Sequence, residues 1–117
     1  MPSSTHEMTT HKEITSAYIG IGSNMANPMQ QVNDALQALA KLPHCTLVQQ
    51  SSMYSSDAIG PGQQDSYINA VAEIKTELTA ADLLKQLQAI EAAHGRVRKQ
   101  RWEPRPLDLD ILLFGNQ

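Results

Sequence analysis

An α+β fold, with two helices laid against one face of a mainly antiparallel sheet, is predicted by three features of this 117-residue chain. Apolar residues alternate at period two in three stretches, the pattern of half-buried strands. Two intervening stretches carry apolar residues at helical spacing. The resulting order is strand, helix, strand, strand, helix, strand, and right-handed crossovers place both helices on the same side. That is the split βαβ, ferredoxin-like sandwich β-α-β-β-α-β.

Each element follows from its residues. Met1 to Thr15 is polar and lacks an apolar core, so residues 1–15 are read as a disordered leader rather than a signal peptide, and residues 16–117 as one domain. His6 and His11 within the leader are given no role. Ser16 to Gly22 is the first strand, with Ala17, Ile19 and Ile21 on one face and Tyr18 and the glycines on the other. Gly22-Ser23-Asn24 ends it with turn chemistry. Asn27 suits an N-cap and Pro28 the first helical position. Met29, Val32, Leu36 and Leu39 then form a helical stripe that ends near Lys41, with Met29 as core filler. Cys45 to Tyr54 is strand-like. Ser55 to Ser66 is a twelve-residue irregular loop, a length that in compact domains is often functional. Tyr67 to Leu78 is a long strand with Ile68, Ala70, Ala72 and Ile74 on its apolar face. Thr79 to Asp82 resembles a capping box, and Leu83, Leu84, Leu87 and Ile90 form the second stripe, stopped by Gly95. Residues 95–106 form a basic loop, and Leu107 to Phe114 is the last strand.

Composition narrows the function. Hydrophobic residues make up 41% of the chain but aromatics only 4%, so the core is built from Leu, Ile, Val, Ala and Met. The net charge of −3 argues against a general nucleic-acid binder, although residues 96–105 are locally basic. The single Cys45 forms no internal disulfide and suits a reducing compartment, here the cytoplasm; it is read as a small apolar filler at a strand start. No apolar run reaches membrane-spanning length. No glycine-rich phosphate loop, zinc spacing or Ser-His-Asp arrangement stands out.

The run from Arg96 to Ile111 carries the chemistry. Arg96, Arg98, Lys99, Arg101 and Arg105 come directly before Asp108 and Asp110, which are spaced i, i+2. On a strand these two aspartates share a face, with Cα atoms roughly 7 Å apart, twice the strand rise. Two carboxylates at that spacing suit a hard cation such as Mg²⁺. Arginines add planar donors for phosphate oxygens. Acids for metal beside bases for phosphate are what phosphoryl-type transfer requires, since that chemistry rests on positioning and charge neutralisation. A solvated charged surface has the same composition. Two details favour a site: Leu107, Leu109 and Ile111 alternate with the aspartates, and Pro104 and Pro106 stiffen the presentation of Arg105.

Several strings together resemble one family. Ala17-Tyr18-Ile19-Gly20-Ile21-Gly22-Ser23-Asn24, Tyr67-Ile68-Asn69-Ala70, Gly95 to Lys99, and Arg101-Trp102-Glu103-Pro104-Arg105-Pro106-Leu107-Asp108-Leu109-Asp110 look like 6-hydroxymethyl-7,8-dihydropterin pyrophosphokinase, the folate-pathway transferase that moves pyrophosphate from ATP to a pterin alcohol. The resemblance runs from about Ser16 to Asn116, and the last of these strings is its most specific part. It implies that Asp108 and Asp110 bind two Mg²⁺ ions that bridge to ATP. It implies pterin contacts at Tyr67 and Asn69, whose amide both donates and accepts hydrogen bonds, and at Ser56, Asp57 and Ile59 in a flexible loop. Asp57 stands where the family commonly has proline. Trp102 is implied to close over both substrates. Arg96 and Arg105 are implied as catalytic phosphate contacts, and Arg98, Gln88, Glu91 and Ile111 as neighbours of ATP. Arg98 and Arg101 also fit a solvated role, as do Gln88 and Glu91. The partners expected are pterin and ATP, with no nucleic acid and no membrane, and the chain is expected to be a monomer.

Family members continue beyond the last strand of the motif, so the expectation here is a domain lacking the family's C-terminal segment. A second reading is therefore a catalytically impaired module that binds pterin or nucleotide without turnover. An RNA-binding sheet of the same topology would need aromatic residues on its open face, and the chain has one Phe, one Trp and three Tyr in all.

Overall fold

The computed structural model describes residues 10–24, 27–56, 67–95 and 107–116. In chain order the elements are β1 (Thr10–Ser23), α1 (Pro28–Ala40), β2 (Cys45–Gln50), β3 (Tyr54–Ser56), β4 (Tyr67–Leu78), α2 (Ala80–Gly95) and β5 (Asp108–Phe114). The sheet order is β2-β4-β1-β5, with β3 also pairing to β4, and every pairing is antiparallel. This is the predicted ferredoxin-like topology, counting β2 and β3 as one broken strand.

β1 starts at Thr10 rather than Ser16, inside the stretch read as leader. Its early residues pair with the far end of β4, Thr10 with Leu78 and Thr15 with Thr76, across an irregularity between them. Ile14 and Thr15 are β-branched and extend easily, and β4 offers backbone partners as far as Leu78. The strand expected over Cys45–Tyr54 is interrupted at Ser51–Met53. Ser51 bridges the break: its amide donates to the Val71 carbonyl at 2.8 Å and its hydroxyl accepts the Val71 amide at 2.9 Å. The backbone of β4 thereby stays satisfied while β3 restarts. Ser55 and Ser56, expected in the loop, belong to β3; residues 57–66 lie outside the described residues.

The core lies between one sheet face and the helices. Ala17, Ile19 and Ile21 of β1, Ala70, Ala72 and Ile74 of β4, and Leu109 of β5 face Val32, Ala35, Leu36 and Leu39 of α1 and Leu83 and Leu87 of α2, all buried. The helix stripes therefore point where their spacing predicts, with two exceptions. Met29, in the first turn of α1, is 62% exposed, and Leu84 is 42% exposed because it lies about 100° round the helix from buried Leu83, at the margin of the stripe. Asn27 adopts a left-handed backbone (φ 59°) and makes no side-chain cap; only its carbonyl engages the helix, accepting the Gln31 amide at 3.0 Å. Thr79 does cap α2, its hydroxyl accepting the Asp82 amide at 3.2 Å. A hydrogen bond between the His94 ring and Gln31 links the two helices. No helix among the described residues is long and apolar enough to cross a membrane.

Candidate functional site

The sheet face away from the helices is floored by glycine. Gly20 and Gly22 lie on β1 between the strand of the acids and the strand of Asn69. Asp108 pairs with Gly22, which pairs on its other side with Asn69, which in turn pairs with Tyr54 of β3. One register step away, Asp110 pairs with Gly20 and Gly20 with Val71. With no side chains rising from β1 at these points, a trough runs between β5 and β4. Two strand spacings separate its walls, roughly 10 Å between backbones. The trough is a cleft of about 260 Å³, bordered by Asp108, Asp110, Tyr67, Asn69, Tyr54 and Leu112.

The acids reach this face by the alternation read in the sequence. Leu107 and Leu109 are buried in the core, Asp108 is half-buried and Asp110 exposed. A register shift in β5 opposite Tyr18 and Ile19 follows: Ile111 pairs with Ile19, but Leu113, not Leu112, pairs with Tyr18. This bulge leaves both Leu112 and Leu113 about half exposed and returns Phe114 to the core.

Asn69 is held by β3. Its Nδ2 donates to Ser56 Oγ at 2.8 Å and more weakly to the Tyr54 carbonyl at 3.5 Å. Its Oδ1 lies over Gly22: a Cβ added to Gly22 would stand 3.2 Å from it, and 3.7 Å from Tyr67 Cδ2. The amide is thus fixed by its donor end, with its acceptor end over the trough.

The structure brings Tyr67, Asn69, Asp108 and Asp110 together around one cleft, and Ser56 adjoins it through its bond to Asn69. It places Gln88, Glu91 and Ile111 elsewhere. Ile111 packs against the core, Gln88 is exposed on α2, and Glu91 accepts the Leu109 amide at 2.7 Å through Oε2. Asp57, Ile59, Arg96, Arg98, Arg101, Trp102 and Arg105 lie outside the described residues. Gly20, Gly22, Tyr54 and Leu112 border the cleft without having been singled out as site residues; a glycine pair at i, i+2 inside a strand was the available signal for the first two.

The donor set suits Mg²⁺. That ion takes one or two carboxylates and completes its shell with waters and substrate phosphates rather than a protein cage. Asp108 and Asp110 supply two carboxylates on one face, and no group of three or more potential ligands occurs among the described residues. Cys45 is remote from this face: its thiol shares a 3.1 Å hydrogen bond with Thr76 Oγ1, and burial pushes its pKa up, a rise the Thr76 bond partly opposes.

Comparison with known proteins gives a consistent result. The family model for 7,8-dihydro-6-hydroxymethylpterin-pyrophosphokinase matches residues 18–117. The chain is 51% identical over 104 residues to the 2-amino-4-hydroxy-6-hydroxymethyldihydropteridine pyrophosphokinase of Pseudomonas aeruginosa, covering 89% of this chain and 64% of that one. It is 52% identical over 101 residues to the proteins of the same name from Haemophilus influenzae (86% of this chain, 63% of the relative) and Pseudomonas putida (86% and 83%). The chain thus spans less than two thirds of the length of the first two relatives.

Proposed function

Because the chain belongs to the 7,8-dihydro-6-hydroxymethylpterin-pyrophosphokinase family, we propose that it transfers pyrophosphate from ATP to 6-hydroxymethyl-7,8-dihydropterin, releasing AMP, as a step of folate biosynthesis in the cytoplasm. The observation that carries this reading is the trough on the open sheet face. A hydrogen-bonding amide stands on one wall and a carboxylate pair on the other, with glycine between them.

The two walls divide the work. Asn69, oriented by Ser56, offers its amide to the edge of the pterin, and Tyr67 and Tyr54 border the same end with aromatic surface. Burying an amide-bearing heterocycle there satisfies groups that an apolar pocket would leave unpaired. Asp108 and Asp110 stand on the other wall and would hold Mg²⁺, two ions in this reading, at the phosphate end of the site. Bound Mg²⁺ supplies charge neutralisation and alignment of the phosphate oxygens. The pterin hydroxymethyl oxygen attacks the β-phosphorus and releases its proton to solvent, the bond from that phosphorus to the α-phosphate oxygen breaks, and AMP departs with that oxygen. Arg96 and Arg105 are assigned to the developing phosphate charge, Arg98 to ATP, and Trp102, Asp57 and Ile59 to substrate contacts. Gln88 and Ile111 are assigned to the nucleotide where it extends past β5. The chain acts as a monomer.

Separate titrations of the two substrates test this division. Asn69→Ala should weaken pterin binding and leave Mg²⁺-dependent ATP binding intact, and Asp110→Ala should do the reverse. Equal loss of both ligands in either variant contradicts a two-walled site.

A further inference from the structure

Resting on the functional reading above, we propose that Glu91 is the positioning residue of the aspartate pair, acting through the backbone of Leu109 rather than by touching ATP. Three observations converge on this role. The Leu109 amide, which lies between the two aspartates in sequence, donates to Glu91 Oε2 at 2.7 Å. β5 is the last strand in the sheet order, so one of its two backbone edges has no strand beside it among the described residues. And α2 packs against β5, so a carboxylate on that helix reaches the open edge.

The consequence follows from ladder geometry. Along an antiparallel strand, successive residues turn their amides alternately toward and away from the partner strand. The Leu109 amide is engaged by α2, so it points away from β1. The amides of Asp108 and Asp110 therefore point toward β1, opposite Gly22 and Gly20. Glu91 thus clamps the outer edge at the one residue whose neighbours on both sides must face the trough. A bond to a charged acceptor is short and strong compared with a neutral one. The Leu109 side chain, 4% exposed, anchors the same residue in the core. Backbone and side chain together remove the freedom by which β5 would twist or slide and carry the carboxylates off the glycines. Lys85, exposed on the same helix and assigned no part in the site, serves as the control.

The test reads two quantities on the full chain and on E91A, E91Q and K85A. One is the hydrogen exchange of the Leu109 amide without ligand. The other is calorimetric binding of an ATP analogue with a methylene between its α- and β-phosphates, with and without Mg²⁺. Partners that orient metal ligands typically change metal affinity by about 10–100-fold when removed, and E91A is expected to weaken Mg²⁺-dependent binding on that scale. Metal-free binding should stay unchanged and the Leu109 amide should lose protection. E91Q keeps a carbonyl acceptor and should recover most of both, and K85A should change neither. Unchanged Leu109 exchange in E91A overturns the proposal. So does equal weakening of metal-free binding in E91A and E91Q, the signature of direct contact with the nucleotide. Failure of the unsubstituted chain to bind Mg²⁺ and the analogue overturns instead the functional reading, while Leu109 exchange still decides whether the clamp exists.

Discussion

Gly22→Ala should separate substrate binding from stability. The added Cβ would stand 3.2 Å from Asn69 Oδ1, tighter than ordinary contact. Asn69 has little room to retreat, because its Nδ2 is bonded to Ser56 Oγ at 2.8 Å. Moving the amide by a few tenths of an ångström stretches or breaks that bond, at a cost of about 0.5–1.5 kcal/mol. Against this, alanine in a strand interior is favoured over glycine by about 0.5–1 kcal/mol. The two nearly cancel, so the urea midpoint of the variant should lie close to that of the parent. Pterin binding has no such compensation. A displaced Asn69 forfeits about one neutral hydrogen bond to the ring, worth about 0.5–1.5 kcal/mol or roughly 2–12-fold in Kd. Gly20→Ala is the contrast. Its Cβ would meet Leu112 Cδ2 at 3.2 Å, the tip of a half-exposed side chain that can swing aside. That variant should gain about 0.5–1 kcal/mol of stability and leave Asn69 where it is. Fluorescence titration with pterin and urea denaturation measure both quantities. The reasoning is refuted if Gly22→Ala binds pterin as tightly as the parent and gains the full Gly-to-Ala stability.

Two further outcomes follow from the fold. Thr79→Ala removes the side-chain cap of α2 and should lower unfolding free energy by about 1 kcal/mol, measured by urea denaturation, whereas Asn27→Ala, at a position without a side-chain cap, should lose no cap energy. Cys45 holds its proton more tightly folded than unfolded, since burial raises its pKa. Its contribution to stability is therefore fully present below the ordinary thiol range and declines as pH rises above it. The difference in unfolding free energy between the parent and Cys45→Ala should shrink from pH 7 to pH 10, and a constant difference would contradict the burial argument.

Much of the site was legible because period two leaves a strand only one choice of faces. Once Leu107 and Leu109 go to the core, Asp108 and Asp110 must share the opposite side, and they do. The helix stripes were legible for the same reason at Val32, Leu36, Leu39, Leu83 and Leu87. What spacing cannot say is how wide and how long the buried stripe is, and Met29 and Leu84 fall outside it. Asn27 has two uses at a helix start, as a side-chain acceptor and as a residue tolerant of left-handed backbone, and composition does not choose between them. Tyr54 reaches the cleft only through the ladder that sets β3 opposite Asn69, a long-range register absent from local pattern. Gly20 and Gly22 contribute space rather than a group, so their role emerged only when their neighbours across the sheet were known. Glu91 was legible as an ATP neighbour by resemblance or as a solvated helix acid by composition, and its bond to β5 emerged only once that strand was placed beside α2.

The central claim is that the carboxylate pair on the open face supports pyrophosphate transfer. The most direct measurement is the products formed by the chain from ATP, Mg²⁺ and 6-hydroxymethyl-7,8-dihydropterin, with Asp110→Ala alongside. The account predicts AMP and pterin diphosphate in equal amounts, formed only with pterin present and lost in Asp110→Ala, whose exposed position leaves the fold intact. AMP release that persists in that variant, or ADP as the product, would contradict it.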